Sequence, residues 1–592
     1  MGRFYWAGIL VLGFLATVRA EAYIATVTPS GAGVSWRGSA KLNLAGNPIN
    51  INGISPQSFF TSVVHGLQRW QAGSEGRLGF DYWQGTNPAV YEPNSNYNGL
   101  SSIYFASNSN GSTHVDPNVL GLTQVWYNTD TGEILETDVI LNDLSFHFTE
   151  NPQDTSGYGG ANAGSARNVF IENVITHELG HAFGLSHSGG LQSTMLFMES
   201  PEQSHLGCDE LSGINAIYPA SDAGSRGGIH GAVVAESGAV IFGAHVVAIS
   251  RRRGTVLATA MTDKSGHYSI GGLEPGTYFL MAEPYYAGPQ ALPSYYSGIN
   301  PIVCNGETFG RTLLMTADGV GLQGVQVGPG GSAEAPQLVA RCGSLGGASI
   351  SEFSAAGSFY SAPVVYSGGA GFGIADRYSG GRRYYHLRAL SGHLEVHALA
   401  YSLYSPLHPS LELMDANGNP VSAQISDVIF VGDSGFVNYD SALIADDLPA
   451  GDYYISLSGT PLNVSQYPAG PLSLDSVPFV TVTGSVNEGA PVLAQNVPFN
   501  ARCRMEENFA AYSSPPGDPP RHSATTTTSG GGFCGTVSND SEGSGGGPGG
   551  PEGPIRSSPA NIAGWLLPWF LMLSLSRIVK LHARQTAVNV IG

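Results

Sequence analysis

Four large apolar residues at helical spacing, Phe59, Val63, Leu67 and Trp70, predict an amphipathic helix over Phe59–Trp70, since positions three and four apart share one face. After it the pattern shortens to strand-like runs at Leu78–Phe80, Ser102–Ala106, Gly121–Tyr127 and Ile134–Asn142. Asn128–Gly132 (NTDTG) supplies the turn between the last two. A polar, glycine-rich linker, Ser221–Gly228, precedes a region of short alternating strands in which Val and Tyr fill one face and Asp263–Gly266 and Pro275-Gly276 make turns. A further β-rich block runs from about 340 to 470. From about Ser513 the chain turns to Pro, Gly, Ser and Thr, which bury too little apolar surface to fold, so 513–560 reads as a flexible stalk. It leads to an apolar run, Ile562–Leu575, interrupted by Pro568 and followed by Arg577, Lys580 and Arg584. That run is short of the ~20 residues a stable membrane span needs.

The length of 592 residues exceeds one domain and accommodates three or four, each with its own core. With 25 Lys and Arg against 45 Asp and Glu, no basic surface for phosphate is expected and nucleic acid is excluded as a partner. Arg3, the apolar stretch Phe4–Leu15 and the small residues Val18 and Ala20 have the layout of a secretory signal peptide, residues 1–20, cut before Glu21. A secreted, extracellular or cell-surface protein is therefore expected. Five cysteines are few for such a chain, and an odd number leaves at least one without an intramolecular partner. Cys304 with Cys342 and Cys503 with Cys534 are pairs the sequence permits without deciding.

The run from His177 to His187 (HELGHAFGLSH) has the spacing of a catalytic zinc site. On a helix, His177 and His181 lie four apart on one face and can aim at one ion, with Glu178 beside the open coordination position. Gly184 can take the left-handed conformation that ends the helix and turns the chain back to deliver His187 as third ligand. The fourth position keeps water, whose proton Glu178 takes as general base and then passes to a leaving amine. A bare H-E-x-x-H also occurs on ordinary solvated helices, but here five specified positions agree. Met195 follows at the distance at which the extended pattern predicts a turn beneath the metal, although alone it would read as a core filler.

These residues resemble the metzincin clan, and Ser188 directly after the third histidine is similar to its matrixin branch. The likeness extends over roughly 30–220, where the helix and strand order resembles the twisted sheet of a matrixin upper subdomain and Asp209–Tyr218 its closing helix. The resemblance implies an α+β zincin-like catalytic domain over 21–220 with one catalytic Zn2+ on His177, His181 and His187. It implies Glu178 as catalytic base and Met195 and Gly184 as structural supports. It further implies that Gly121–Tyr127 is an edge strand whose Leu122, Thr123, Gln124 and Val125 receive an extended polypeptide through main-chain hydrogen bonds. The chain also departs from the family. No cysteine precedes Cys208, so a propeptide cysteine switch is not expected. His114-Val115-Asp116 stands where a structural zinc site would begin, but the partner positions read Gln124, Trp126 and Asp138, which favours a plain loop. Leu196-Phe197-Met198 replaces the expected tyrosine and proline, which leaves the specificity pocket undefined.

Residues 226–290 resemble the carboxypeptidase regulatory-like β-sandwich and imply a spacer or scaffold, and residues 340–470 resemble the pre-peptidase C-terminal domain, a second sandwich. In the latter, His393, Glu395 and His397 share one face of a strand, which reads as a solvated face because three ligands in a straight row do not converge on one ion. Asp415 and Asn417 read as turn formers, and no residue set specifies calcium, although the chain is compatible with it. Residues 561–592 resemble the carboxy-terminal sorting signals of Gram-negative surface proteins, with a plain membrane anchor as the alternative. Together these imply a multidomain chain: a metzincin domain, two all-β sandwiches and a disordered Gly/Pro/Ser/Thr-rich tail with a short hydrophobic segment. The expected function is a zinc-dependent endopeptidase acting on extracellular polypeptides, as a monomer, with transient or permanent membrane association through the tail. The rivals are a surface adhesion or matrix-binding protein with an inactive protease domain, and a zinc hydrolase acting on a non-protein polymer.

Overall fold

The computed structural model describes residues 24–45, 54–84, 97–106, 116, 118–152, 167–198, 203–219, 226–285, 292, 294–299, 302–304, 307–317, 319, 321–342, 359–426, 429–431, 436–463 and 478–488. It also describes the backbone of two short strands, 536–538 and 586–591. The segment read as a signal peptide, the apolar run Ile562–Leu575, His114, Cys503 and Cys534 lie outside the described residues.

The first domain is built on a sheet with three helices packed against it. Its elements are β1 (Ala40–Leu44), α1 (Pro56–Gly73), β2 (Phe80–Gln84), β3 (Ser101–Phe105), β4 (Gly121–Asn128), β5 (Ile134–Leu141), β6 (Phe146–Thr149), β7 (Arg167–Phe170), α2 (Ile171–Ala182) and α3 (Cys208–Ile217). Ser55 caps α1 by accepting the Ser58 amide at 3.0 Å, and Pro56 sits at the first turn, where its missing N–H costs nothing. The expected stripe of Phe59, Val63, Leu67 and Trp70 is the buried face of α1, which lies against α2. The sheet runs β2-β1-β3-β5-β4, parallel except for β4, which is antiparallel to β5. Beyond β4 the backbone strand 586–591 pairs antiparallel with it, from Ile591 opposite Thr123 to Thr586 opposite Asn128, and 536–538 pairs with that strand in turn.

Two strand readings need correction. β1 lies between β2 and β3 although no strand was expected there, and the run at Leu78–Phe80 is a strand only from Phe80 onward. Leu78 belongs to the core beneath the sheet, with its amide held by Ser74 Oγ at 3.0 Å. The tail read as disordered contributes the two strands named above, because an edge such as β4 offers unpaired N–H and C=O groups to any extended segment.

The linker expected over Ser221–Gly228 ends earlier, since β8 (Gly227–Ala235) includes its last two residues. With β9 (Ala244–Ser250), β10 (Thr255–Met261), β11 (His267–Leu273) and β12 (Gly276–Pro284) it forms two facing sheets. These sheets extend past residue 290: Thr312–Leu313 and Val325–Val327 pair with β12, while Ser332–Glu334 and Leu338–Ala340 pair with β8. Cys304 and Cys342 form a disulfide, which closes the pairing the sequence left open.

The third block is one sheet ordered 371–377, 479–486, 383–399, 441–461 and 407–415. Its two long strands, Arg383–Leu399 and Ser441–Pro461, bend where their register shifts between Leu387 and Leu394. The expected solvated face of His393, Glu395 and His397 is corrected here. Glu395 and His397 are buried and bonded to each other at 2.8 Å, with His397 against Gly254 of the β9–β10 turn; only His393 reaches solvent, paired with Asp446. Burial by the neighbouring domain, which a single strand's alternation cannot reveal, makes the difference.

Candidate metal centre

α2 is buried along its length except at Glu172, because α1 covers one side and the sheet another. Trp70 Nε1 of α1 donates to Thr176 O at 2.8 Å, fixing the turn from which His177 projects. Gly184 follows the helix at φ +102°, and its carbonyl accepts the Thr26 amide at 2.9 Å while Leu185 bridges Ala25. A side chain at Gly184 would strike Val34 O, so turn and close approach both call for glycine. The chain then returns to bring His187 to the other two histidines.

The ligand atoms of His177, His181 and His187 all lie within 4.8 Å of one another, and the Nε2 atoms of His181 and His187 are 3.2 Å apart. A tetrahedral ion with nitrogen ligands at ~2.0–2.1 Å separates them by roughly 3.3 Å, so this pair already stands at coordination spacing. His177 Nδ1 bonds to Thr194 O at 2.8 Å and His181 Nδ1 to Leu185 O at 2.9 Å. A carbonyl only accepts, so each Nδ1 carries the proton and each Nε2 presents a lone pair. His177 Nε2 is buried with no hydrogen-bond partner, an atom left for something the polypeptide does not provide. Burial pushes His177 down to about 4; burial and repulsion from the other two imidazoles hold His181 well below the usual range. Both are neutral at pH 7, the state a metal ligand requires. The donor set fits a metal ion and is the only such group among the described residues.

Glu178 is buried beside the triad and faces β4. The Thr123 hydroxyl donates to its Oε2 at 2.7 Å, and its Oε1 lies over Gly121, where an added Cβ would come within 2.6 Å. Thr123, expected only as part of the substrate edge, therefore has its side chain committed to the glutamate. Leu122 is half-buried, while Gln124 and Val125 are buried; the main chain of β4 from Thr123 onward pairs with 586–591.

Met195 lies beneath α2 against Gly180, whose missing side chain leaves room for the sulfur and for Trp70. The Met195 amide donates to Glu210 Oε1 at 2.9 Å, Ser193 Oγ bonds the same carboxylate, and Glu210 Oε2 accepts the Gly207 amide at 3.0 Å. The first turn of α3 thus holds the turn beneath the histidines. Gln203 Nε2 secures the next three residues, donating to Leu196 O and Met198 O at 2.6 and 3.1 Å. Phe197, where the family pattern was departed from, is half-buried with its ring 6.5 Å from that of His187. Asp138, at the position tested for a second zinc, accepts the Ser102 amide, and burial pushes its carboxyl up to about 8. It therefore holds its proton more tightly than an exposed aspartate does.

Gly121, Gly180, Glu210 and Thr123 in its bonding role were not singled out from sequence. The glycines act through an absent side chain, which carries no pattern. Glu210 offered one signal, an acidic residue three positions after Gly207, the placement that caps a helix start.

Three buried histidines on a helix and its return loop, two of them held neutral, with a carboxylate alongside, form a group that could hold a metal ion. Residues 69–219 match the matrixin family and residues 228–291 the carboxypeptidase regulatory-like domain, so the chain carries a domain from a family of zinc metallopeptidases. Among solved structures, the TIE protein of Bacillus anthracis is similar at 12% identity and TM-score 0.13, over 43% of this chain and 31% of its own. BcpA, the major pilin subunit of Bacillus cereus, is similar at 12% identity and TM-score 0.11, over 44% and 68%. The major pilin SpaD of Corynebacterium diphtheriae gives 6% and 0.12, over 40% and 57%. This chain thus spans under a third of the TIE protein, and likenesses this slight decide nothing about fold or function.

Proposed function

We propose that this protein is a secreted or surface-displayed zinc endopeptidase that cleaves extended extracellular polypeptides. The observation that carries the reading is the set of three buried imidazoles, two of them with Nδ1 committed to a carbonyl, beside a carboxylate that is not itself one of the donors. His177, His181 and His187 would hold the zinc. When bound, it supplies Lewis acidity that polarises a peptide carbonyl and lowers the pKa of a water. Glu178, buried beside the triad, would take that water's proton and deliver it to the leaving amine. Gly121 and Thr123 keep the carboxylate at the start of β4, the strand whose edge would align a substrate main chain. In the full chain 586–591 occupies that edge, so a substrate and this strand compete for it.

The test is Glu178→Ala beside wild type, with zinc content and casein cleavage measured on both. Near-equimolar zinc in both proteins with chelator-sensitive cleavage only by wild type is the expected result. Loss of zinc in the variant would contradict the role given to Glu178. A folded wild type that holds no zinc would overturn the reading in favour of a surface adhesion protein.

A further inference from the structure

The loop that follows the third histidine is enclosed by the two β domains. Ser188 Oγ donates to Asp209 Oδ2 at 2.6 Å, and the same carboxylate receives the amide and hydroxyl of Thr259, on β10 of the second domain, at 2.7 and 2.9 Å. Asp209, Ser188 and Thr259 are all buried. One residue further, the His245 ring of β9 lies against Gly189, where a Cβ would come within 2.8 Å of it. That ring is fixed by buried polar contacts: His245 Nδ1 to Glu283 Oε1 at 2.9 Å and Arg311 Nε to Glu283 Oε2 at 2.6 Å. On the far side the third domain closes the loop. Tyr404 donates its hydroxyl to Gly189 O at 3.0 Å, Gln192 Nε2 donates to Ser402 Oγ at 3.1 Å, and Leu191 packs with Tyr401, Tyr404 and Leu462.

His177 and His181 are set by α2, but His187 stands on non-helical chain and its place depends on what holds Ser188–Gln192. We propose that the carboxypeptidase regulatory-like domain is a positioning part of the metal centre: Thr259 and His245, aided by Tyr404 of the third domain, clamp this loop and thereby fix His187. Neither domain is a spacer in this arrangement. The proposal deepens the zinc endopeptidase reading and rests on it for its effect on zinc, while the clamp itself is testable without metal.

The experiment uses the full chain with Thr259→Val, which removes the hydroxyl but keeps the backbone amide bond to Asp209, and Thr259→Ser, which restores the hydroxyl. Two readouts are taken: amide hydrogen exchange of Ser188–Gln192 in metal-free protein, and the rate of zinc release to a chelator. Thr259→Val is expected to speed both by about tenfold, within the range for partners that orient a ligand, and to lower kcat with little change in KM. Thr259→Ser should return them to within about twofold of wild type. Tyr404→Phe, which removes one bond and no packing, should speed loop exchange by a smaller factor and decides the matter if Thr259→Val fails to fold. Loop exchange and zinc release unchanged in folded Thr259→Val or Tyr404→Phe would overturn the proposal. A wild type that binds no zinc defeats the endopeptidase reading alone, since loop exchange still judges the clamp.

Discussion

The carboxylate of Glu178 is governed by two neighbours on β4 that do not bind metal. Thr123 holds Oε2 by a 2.7 Å hydrogen bond, and Gly121 makes room for Oε1. A hydrogen bond to a charged group contributes about 1.5–3 kcal/mol, which corresponds to roughly tenfold to a hundredfold in rate if it is needed in the transition state. Thr123→Val, of the same shape, should therefore lower kcat by at least about tenfold while zinc content stays at the wild-type level. Equal kcat in the two proteins would show that the hydroxyl is a core contact only. The donors themselves were legible from spacing, because one helical turn dictates that residues four apart share a face. The residues that hold those donors in place were not, because Thr123 and Glu178 are 55 positions apart and meet only through the fold.

Between elements, α1 is tied by polar contacts to the start of α2. Glu172 receives His65 Nδ1 at 2.8 Å and Arg69 Nη2 at 2.6 Å, both from α1. Burial by itself would raise this carboxyl, but the His65 hydrogen bond and the Arg69 charge outweigh it and hold the group below the ordinary value of 4.5. A folded-state value below the unfolded one means stability that is complete above about 4.5 and is lost as pH falls through the lower, folded value. Glu172→Gln should cost about 1–3 kcal/mol at pH 7 by denaturant unfolding, and the gap to wild type should narrow below about pH 4.5. A gap that stays constant with pH would mean that the charge is not what ties the helices. Helix α1 was readable because four large apolar residues repeat at one period, whereas β1 (AKLNL) is five residues long and buried at all positions but Lys41. Its Ala40, Leu42 and Leu44 alternate with Lys41 and Asn43, so the period of a strand was present in the sequence there, but over only five residues.

At the scale of the whole molecule, the polar linker suggested beads on a string, yet the first two domains share one core. Leu211 and Ile214 of α3 belong to the same buried cluster as Ile229, Tyr268 and Leu273, and Ser212 Oγ donates to Gly271 O at 2.7 Å. A second contact cluster joins Val247, Ile249 and Phe279 to Leu399, Leu403 and Phe479 of the third domain. A chain ending at residue 225 would expose the α3 face and lose Thr259 and His245 together, whereas one ending at residue 490 keeps both interfaces and removes the strands 536–538 and 586–591 together with Cys503 and Cys534. The shorter chain should melt lower, bind a dye for exposed apolar surface and release zinc faster, while the longer one should retain zinc like the full chain and cleave casein faster, because the β4 edge is free. Equal melting and zinc retention at 225 and 490 would mean that the interfaces add nothing to the metal centre. Equal cleavage by the 490-residue and full chains would mean that 586–591 does not compete with substrate.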